Sequence, residues 1–209
     1  MARLTRKERQ ARTRRRLVDA AAHVGARRGL AAASLDEVAQ VAGYTKGAVY
    51  ANFASKEELF LAVLDERFAE RLAQIERLFG SDTDPAVQAA EAGADLSQAM
   101  AADRDWQRLF FEFAVHAARD AAFREQLTAR YRRLRERIAE ILAQRMRETG
   151  VAASVSPADL ALMTFAMANG VALEALLEPD AVPGDLLARM YAILAEGVAR
   201  RGEAAAADG

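Results

Sequence analysis

A chain of 209 residues, 52% hydrophobic and 28% charged, is long enough to bury a core and is not disordered by composition. The absence of cysteine excludes disulfides, thiolate metal sites and cysteine nucleophiles, and two histidines, His23 and His116, leave little for a zinc site or a Ser-His-Asp hydrolase. The net charge of −1 hides a split: residues 1–56 hold twelve Lys and Arg against four Asp and Glu, a net of +8, while the remainder nets −9. A basic head on an acidic body points to a polyanion-binding end, with a merely solubilising arginine-rich tail as the plain alternative.

The chain reads as helices throughout, because alternating β-branched runs are absent and alanine is abundant. Residues 1–10 are expected to form a flexible basic arm. A first helix runs from about Arg12 to Arg28 and stops at Gly29. Ser34 opens a second, with Glu37 at capping-box spacing, and Gly43 ends it. A short helix follows from Thr45 to about Asn52. Ser55 and Glu58 form another capping box and open a fourth helix to about Phe79, whose Leu59, Val63, Phe68, Leu72, Ile75 and Phe79 line one side. Residues 80–85 are a loop.

The second half continues in the same way. An alanine-rich helix is expected over 85–102. Trp106, Leu109, Phe110, Phe113 and Ala117 repeat at helical spacing. A long helix spans about Asp120 to Thr149 and ends at Gly150. Ser156 and Pro157 open a helix to about Glu178, and a last helix ends near Arg201. Residues 202–209 are expected to be a disordered tail. No apolar run is expected to reach the ~18 residues of a membrane span, and the N-terminus lacks a signal-peptide core. The expectation is a soluble cytoplasmic protein with no membrane partner.

The chemistry-bearing segment is 34–56. Two short helices meet at Gly43, with Val38, Ala39, Val49 and Phe53 as the packed set. Small Ala39 permits a close crossing, and Gly43 permits a left-handed turn. This is a helix-turn-helix pattern, although an ordinary helical hairpin shares the spacing. The basic head favours DNA: Lys46 and Lys56 stand at helix starts beside Thr45, Tyr50 and Asn52, and helix N-termini with nearby hydroxyls hold phosphates.

The matching run is Leu17 to Ala21, Gly29, Ser34 to Ala39, Ala42, Gly43, Thr45 to Tyr50, Phe53 and Ser55 to Leu59. Through it, Thr13 to Phe68 resembles the N-terminal region of the TetR (tetracycline-repressor-like) family of transcriptional regulators. The resemblance implies an all-α fold, with a three-helix DNA-binding helix-turn-helix domain over 1–56 and a helical ligand-binding and dimerisation domain over 57–201. It implies a homodimer on a palindromic double-stranded DNA operator and a small-molecule effector that releases it; no cofactor is expected. Positions matching Tyr50 and Lys56 hold backbone phosphates in the family. Two positions depart from it. Gly25 stands where a large apolar residue is usual, which is expected to cost ~1 kcal/mol in helix propensity and to leave space in the core. Tyr44 stands at a turn position that is commonly Val.

The DNA-contact set is therefore Ser34, Thr45, Lys46, Gly47, Tyr50, Ala51, Asn52 and Lys56. Among these, Asn pairs with adenine and Lys with guanine where they reach base edges. Arg3 to Arg16 either trails along a groove or is solvated. The second half holds no catalytic constellation and no metal set. Trp106, Phe110, Phe113, His116, Tyr131, Phe165 and Asn169 make a lining for a mostly apolar effector, and core packing explains each equally well. Arg130 to Arg137 reads as a solvated face paired with Glu136 and Glu140. The last two helices carry more apolar surface than one pair hides. Leu160, Met167, Val171, Leu187, Tyr191, Leu194 and Val198 are expected in a four-helix dimer interface. The leading function is a ligand-responsive regulator, a repressor. The alternatives are an effector-independent architectural DNA-binding protein and a helical enzyme.

Overall fold

The computed structural model describes residues 5–79, 83–150 and 155–207. Positions 1–4 of the expected arm, 80–82 of the expected loop and 208–209 of the expected tail lie outside the described residues. The chain is all-α, with no strand among the described residues. The order is α1 (Arg6–Ala32), α2 (Leu35–Ala42), α3 (Lys46–Tyr50), α4 (Lys56–Leu78), α5 (Pro85–Ala102), α6 (Arg104–Arg119), α7 (Ala121–Thr149), α8 (Pro157–Leu177) and α9 (Leu186–Ala207), with a 3-10 turn at Pro179–Ala181.

Two ends differ from expectation. The arm is helical from Arg6, because Thr5 and Glu8 close a capping box: Thr5 Oγ1 accepts from the Glu8 amide at 3.3 Å, and Glu8 Oε2 accepts from the Thr5 amide at 2.7 Å. The Thr5 amide and hydroxyl both donate to the Glu8 carboxylate and hold it below its ordinary pKa. At the other end α9 continues to Ala207, through part of the stretch expected to be an unstructured tail. Gly29 breaks α1 as expected, with φ 76° and ψ 166°, and one more turn follows to Ala32.

The chain forms two compact units that interleave in sequence. The first comprises residues 1–68 and 105–128, and the second comprises 69–104 and 129–209. In the first, Leu59 to Leu64 of α4 are all buried, so the helix is enclosed on every side there rather than along one stripe. The space expected beside Gly25 is filled: a Cβ there would stand 2.5 Å from Phe60 Cε1 and 2.9 Å from Leu109 Cδ2. Phe60 from α4 and Leu109 from α6 supply the bulk that residue 25 lacks.

In the second unit α5 and α9 pack most extensively. Gly93 makes this possible, since a Cβ there would stand 2.7 Å from Ala188 Cα and from the Leu187 carbonyl oxygen. Polar ties hold the ends. Arg71 pairs with Asp95, Arg145 donates to the Thr83 carbonyl, and Gln88 Nε2 donates to the Leu78 carbonyl at 3.0 Å. Tyr191 donates to the Thr164 carbonyl at 2.9 Å, joining α9 to α8. Arg137 pairs with Glu140 as expected and also with Glu76 at 2.9 Å.

One expectation about hydropathy is corrected. Pro157–Leu177 is long and apolar enough to cross a membrane by length and composition, with a mean hydropathy of 1.7. Polar Thr164, Asn169 and Glu174, spread singly along it, disguise the run in the sequence. Little of this helix is buried inside the chain.

Candidate nucleic-acid interface

The corner of the first unit is built by caps and one glycine. Ser34 caps α2, its Oγ accepting from the Glu37 amide at 3.1 Å. Gly43 closes α2 in the left-handed region, φ 73° and ψ 31°. The Tyr44 amide then donates to the Ala39 carbonyl at 2.9 Å, which fixes the turn. Thr45 caps α3, accepting from the Ala48 amide at 3.3 Å. Val38, Ala39, Val49 and Phe53 are all buried, as the helix-turn-helix reading requires.

With Val49 inward, Lys46, Gly47, Tyr50 and Ala51 share the opposite, exposed face at i, i+1, i+4, i+5 spacing. Tyr50 is 53% exposed, which suits a ring packed at its base and wet at its hydroxyl. Ser34 and Thr45 are exposed as well. Lys46 pairs with Asp36 at 2.9 Å, and this partner raises its pKa. The pair is exposed, so an incoming anion competes with Asp36 at little cost.

Two members of the expected set are engaged elsewhere. Asn52 Nδ2 turns back to the Ala48 carbonyl at 2.8 Å, and the Asn52 carbonyl accepts from Arg14 at 2.9 Å. Lys56 directs its ammonium at three carbonyls near the end of α1: Leu30 at 2.9 Å, Ala31 at 3.0 Å and Ala33 at 3.3 Å. An ammonium has three protons, and here each has a carbonyl partner.

Sequence reasoning missed three contacts. Glu112 of α6 accepts from the Leu30 amide at 2.5 Å, and its carboxylate covers the open side of Gly29. The segment 29–33 is thus gripped by Glu112 from α6 and Lys56 from α4. Arg14 lies over the Phe53 ring, 4.2 Å from its centroid, and latches α1 to the end of α3. Tyr44 meets Thr13 on α1, with Arg12 and Arg16 nearby. None of these has a signal in linear spacing, because each pairs residues distant in the chain or one arginine among several.

The seven residues expected to line an effector site fall into the two units separately. Trp106, Phe110, Phe113 and His116 lie on α6 in the first. Phe113 is buried and stacked on Phe123 at 6.1 Å, so it is a core residue. His116 stands edge-on to Phe123 at 4.7 Å, its Nε2 buried with no hydrogen-bond partner among the described residues. Trp106 packs at 6.3 Å from both Phe110 and Phe113. In the second unit Tyr131 and Phe165 are 6.2 Å apart, burial pushes the Tyr131 phenol up, and Asn169 is half-buried.

The expected interface set also divides. Leu160, Leu187, Tyr191 and Val198 are buried inside the chain, and Met167, Val171 and Leu194 are half-buried. The apolar residues left open are Leu162, Met163, Leu173 and Leu177 of α8 and Ile193 of α9. Helical wheels alone do not say which stripe of each helix is covered within the chain. Gly170 has open space around it.

Residues 17–63 match bacterial regulatory proteins, tetR family, and residues 92–202, just over half the chain, match BetI-type transcriptional repressor, C-terminal. The HTH-type transcriptional regulator SrpR of Pseudomonas putida is 47% identical over 55 residues, 26% of each chain. The chain spans about a quarter to two-fifths of the length of curated relatives it matches. Two solved structures share the fold. A putative TetR-family regulator from Mesorhizobium loti has a TM-score of 0.75 at 21% identity, covering 93% of this chain and 97% of that one. FadR from Bacillus subtilis, in complex with stearoyl-CoA, has a TM-score of 0.72 at 15% identity, covering 88% and 98%.

Proposed function

Because this chain belongs to the TetR family of bacterial regulatory proteins, we propose that it is a DNA-binding transcriptional repressor, released from a palindromic operator by a small, mostly apolar effector. The observation that carries this reading is the exposed face of Lys46, Gly47, Tyr50 and Ala51, flanked by capping hydroxyls and backed by a buried helix-turn-helix core. Lys46 and Tyr50 are the proposed contacts, with Ser34 and Thr45 at the edges. Lys56 and Asn52 act by holding that face in place.

The protein acts as a homodimer through the open apolar residues of α8 and α9. A second copy brings a second recognition face, which a palindrome requires, with half-sites ~34–36 Å apart or a multiple of that. The aromatic residues of α6 supply the apolar chemistry for an effector. A protein of the same fold holds stearoyl-CoA, an amphiphile with a long apolar chain, which supports that class. A tenfold loss of operator affinity needs ~1.4 kcal/mol of effector preference for the released state.

The test is selection of duplexes from a random pool by the full chain, followed by titration with stearoyl-CoA while Trp106 fluorescence is read with and without the selected duplex. A palindrome should be enriched. Failure to enrich any sequence overturns the DNA reading. Equal stearoyl-CoA affinity in both states rules that compound out as an inducer.

A further inference from the structure

Tyr44 is the residue that departs from the family at the turn, and it does not simply fill the place of a valine. Its backbone is fixed by the left-handed Gly43 before it and by its own amide bond to Ala39. Its ring reaches α1, where Thr13 Oγ1 lies 3.4 Å from the phenol oxygen. Thr13 has one hydroxyl proton and a shorter acceptor, the Arg9 carbonyl at 3.0 Å. In the contact to Tyr44, long for an O–H···O bond, Thr13 is the donor and the phenol oxygen accepts, so the phenol's own proton is not used there.

Two cations stand beside that proton. Arg12 and Arg16 are one turn apart on α1, and both act electrostatically on the Tyr44 phenol. The Thr13 hydroxyl first, and then Arg16 and Arg12, hold its pKa below the ordinary phenol value. Neither arginine forms an ion pair among the described residues, whereas Arg14 between them is engaged with Asn52 and Phe53. No carboxylate is among the groups acting on Tyr44. The platform is rigid: α1 is ordered from Arg6 by its capping box, and Arg14 latches it to α3.

We propose that Tyr44, Arg12 and Arg16 form an anchor for one backbone phosphodiester of DNA, additional to the contacts made by α3. A phosphodiester offers two acceptor oxygens and one negative charge, which match one phenol proton and a guanidinium fork with a second cation beside it. Tyr44 adjoins Thr45, where the exposed face begins, so the anchor extends that face toward α1. A valine at position 44 would supply no donor. The inference rests on the DNA-binding reading, and its test separates the two.

The full-length protein is titrated with the duplex selected by the wild type, at several salt concentrations. Tyr44→Phe keeps the ring and is expected to bind about tenfold more weakly with an unchanged salt slope. Arg16→Gln is expected to lower the log–log slope by about 0.9 for the lost phosphate contact. The double variant should lose less than the sum of the two, because both act on one phosphate. A methylphosphonate scan of the duplex should reveal one position per half-site where neutralisation weakens the wild type but not the double variant. Wild-type affinity in Tyr44→Phe, or an unchanged slope in Arg16→Gln, overturns the anchor while DNA binding stands. Absence of salt-dependent binding by the wild type overturns the DNA reading itself.

Discussion

Leu59 to Leu64 in α4 are apolar and Leu162 to Leu177 in α8 mostly so, yet they have opposite fates. Every residue of the first run is buried within its unit. In α8, Leu162 is 49% exposed, Leu173 44% and Leu177 72%. Apolar area costs about 25 cal/mol per Å2 while it remains in water. The α4 run is satisfied by its own chain. The α8 run needs something from outside, and a second copy is the proposed occupant. Composition alone does not separate these cases. The difference lies in the neighbours: Gly25 and Gly93 let α4 and α9 come close to their partners, whereas Gly170 meets nothing.

The largest effect that would break this comparison is expected at Phe60. Phe60→Ala opens a cavity between α1 and α6 and should cost about 3–5 kcal/mol in urea unfolding. A loss below 1 kcal/mol would mean that the α4 run is not the enclosed core described. Next, Leu173→Asp should leave monomer unfolding nearly unchanged but weaken self-association at least ~100-fold, about 3 kcal/mol, by sedimentation. Leu187→Asp, on a buried position of the neighbouring helix, should unfold the unit instead. If both variants unfold, α8 is covered within the chain.

A matched pair of glycines sharpens the same contrast. Gly93→Ala places a methyl against the backbone at 187–188 and should cost about 1–3 kcal/mol. Gly170→Ala enters open space and should leave the monomer as stable, or ~1 kcal/mol more so, through helix propensity. Equal effects at the two sites would erase the distinction.

The smallest effect concerns Tyr191, on the side of α9 turned into the chain. Burial raises its phenol from the ordinary 10 to about 12. A raised folded-state pKa means that the neutral form is favoured in the native state. Its contribution is therefore whole below about pH 10 and is lost as pH rises from about 10 to about 12, at up to ~1.4 kcal/mol per pH unit. Tyr191→Phe should cost ~1 kcal/mol at neutral pH through the lost bond to Thr164, and should flatten that alkaline decline. Burial also raises Tyr131, so some decline should persist.

What was legible in the sequence was local. Ser34, Gly43 and Thr45 reveal α2, the turn and α3 because caps and left-handed turns depend on residues a few positions apart. The exposed face of α3 followed from the same spacing. What escaped was set by packing between distant segments. The grip of Lys56 on carbonyls of α1 and of Glu112 on Leu30 depends on helices brought together by the core. Gly25 was expected to leave a gap because nothing local says that Phe60 fills it. The extended start of α1 was readable in principle from Thr5 and Glu8, but a run of arginines made it look like a tail.

The interleaving of the two compact units bears on grafting. The chain passes from one to the other inside α4, after the first residue of α6, and inside α7. A hybrid chain spliced at residue 56 would inherit Gly25, Gly29 and Leu30 from one parent and Phe60, Leu109 and Glu112 from the other. Its head would then be an incomplete piece. A functional transplant must carry 1–68 together with 105–128, two seams further along the chain than a helix-turn-helix alone would suggest.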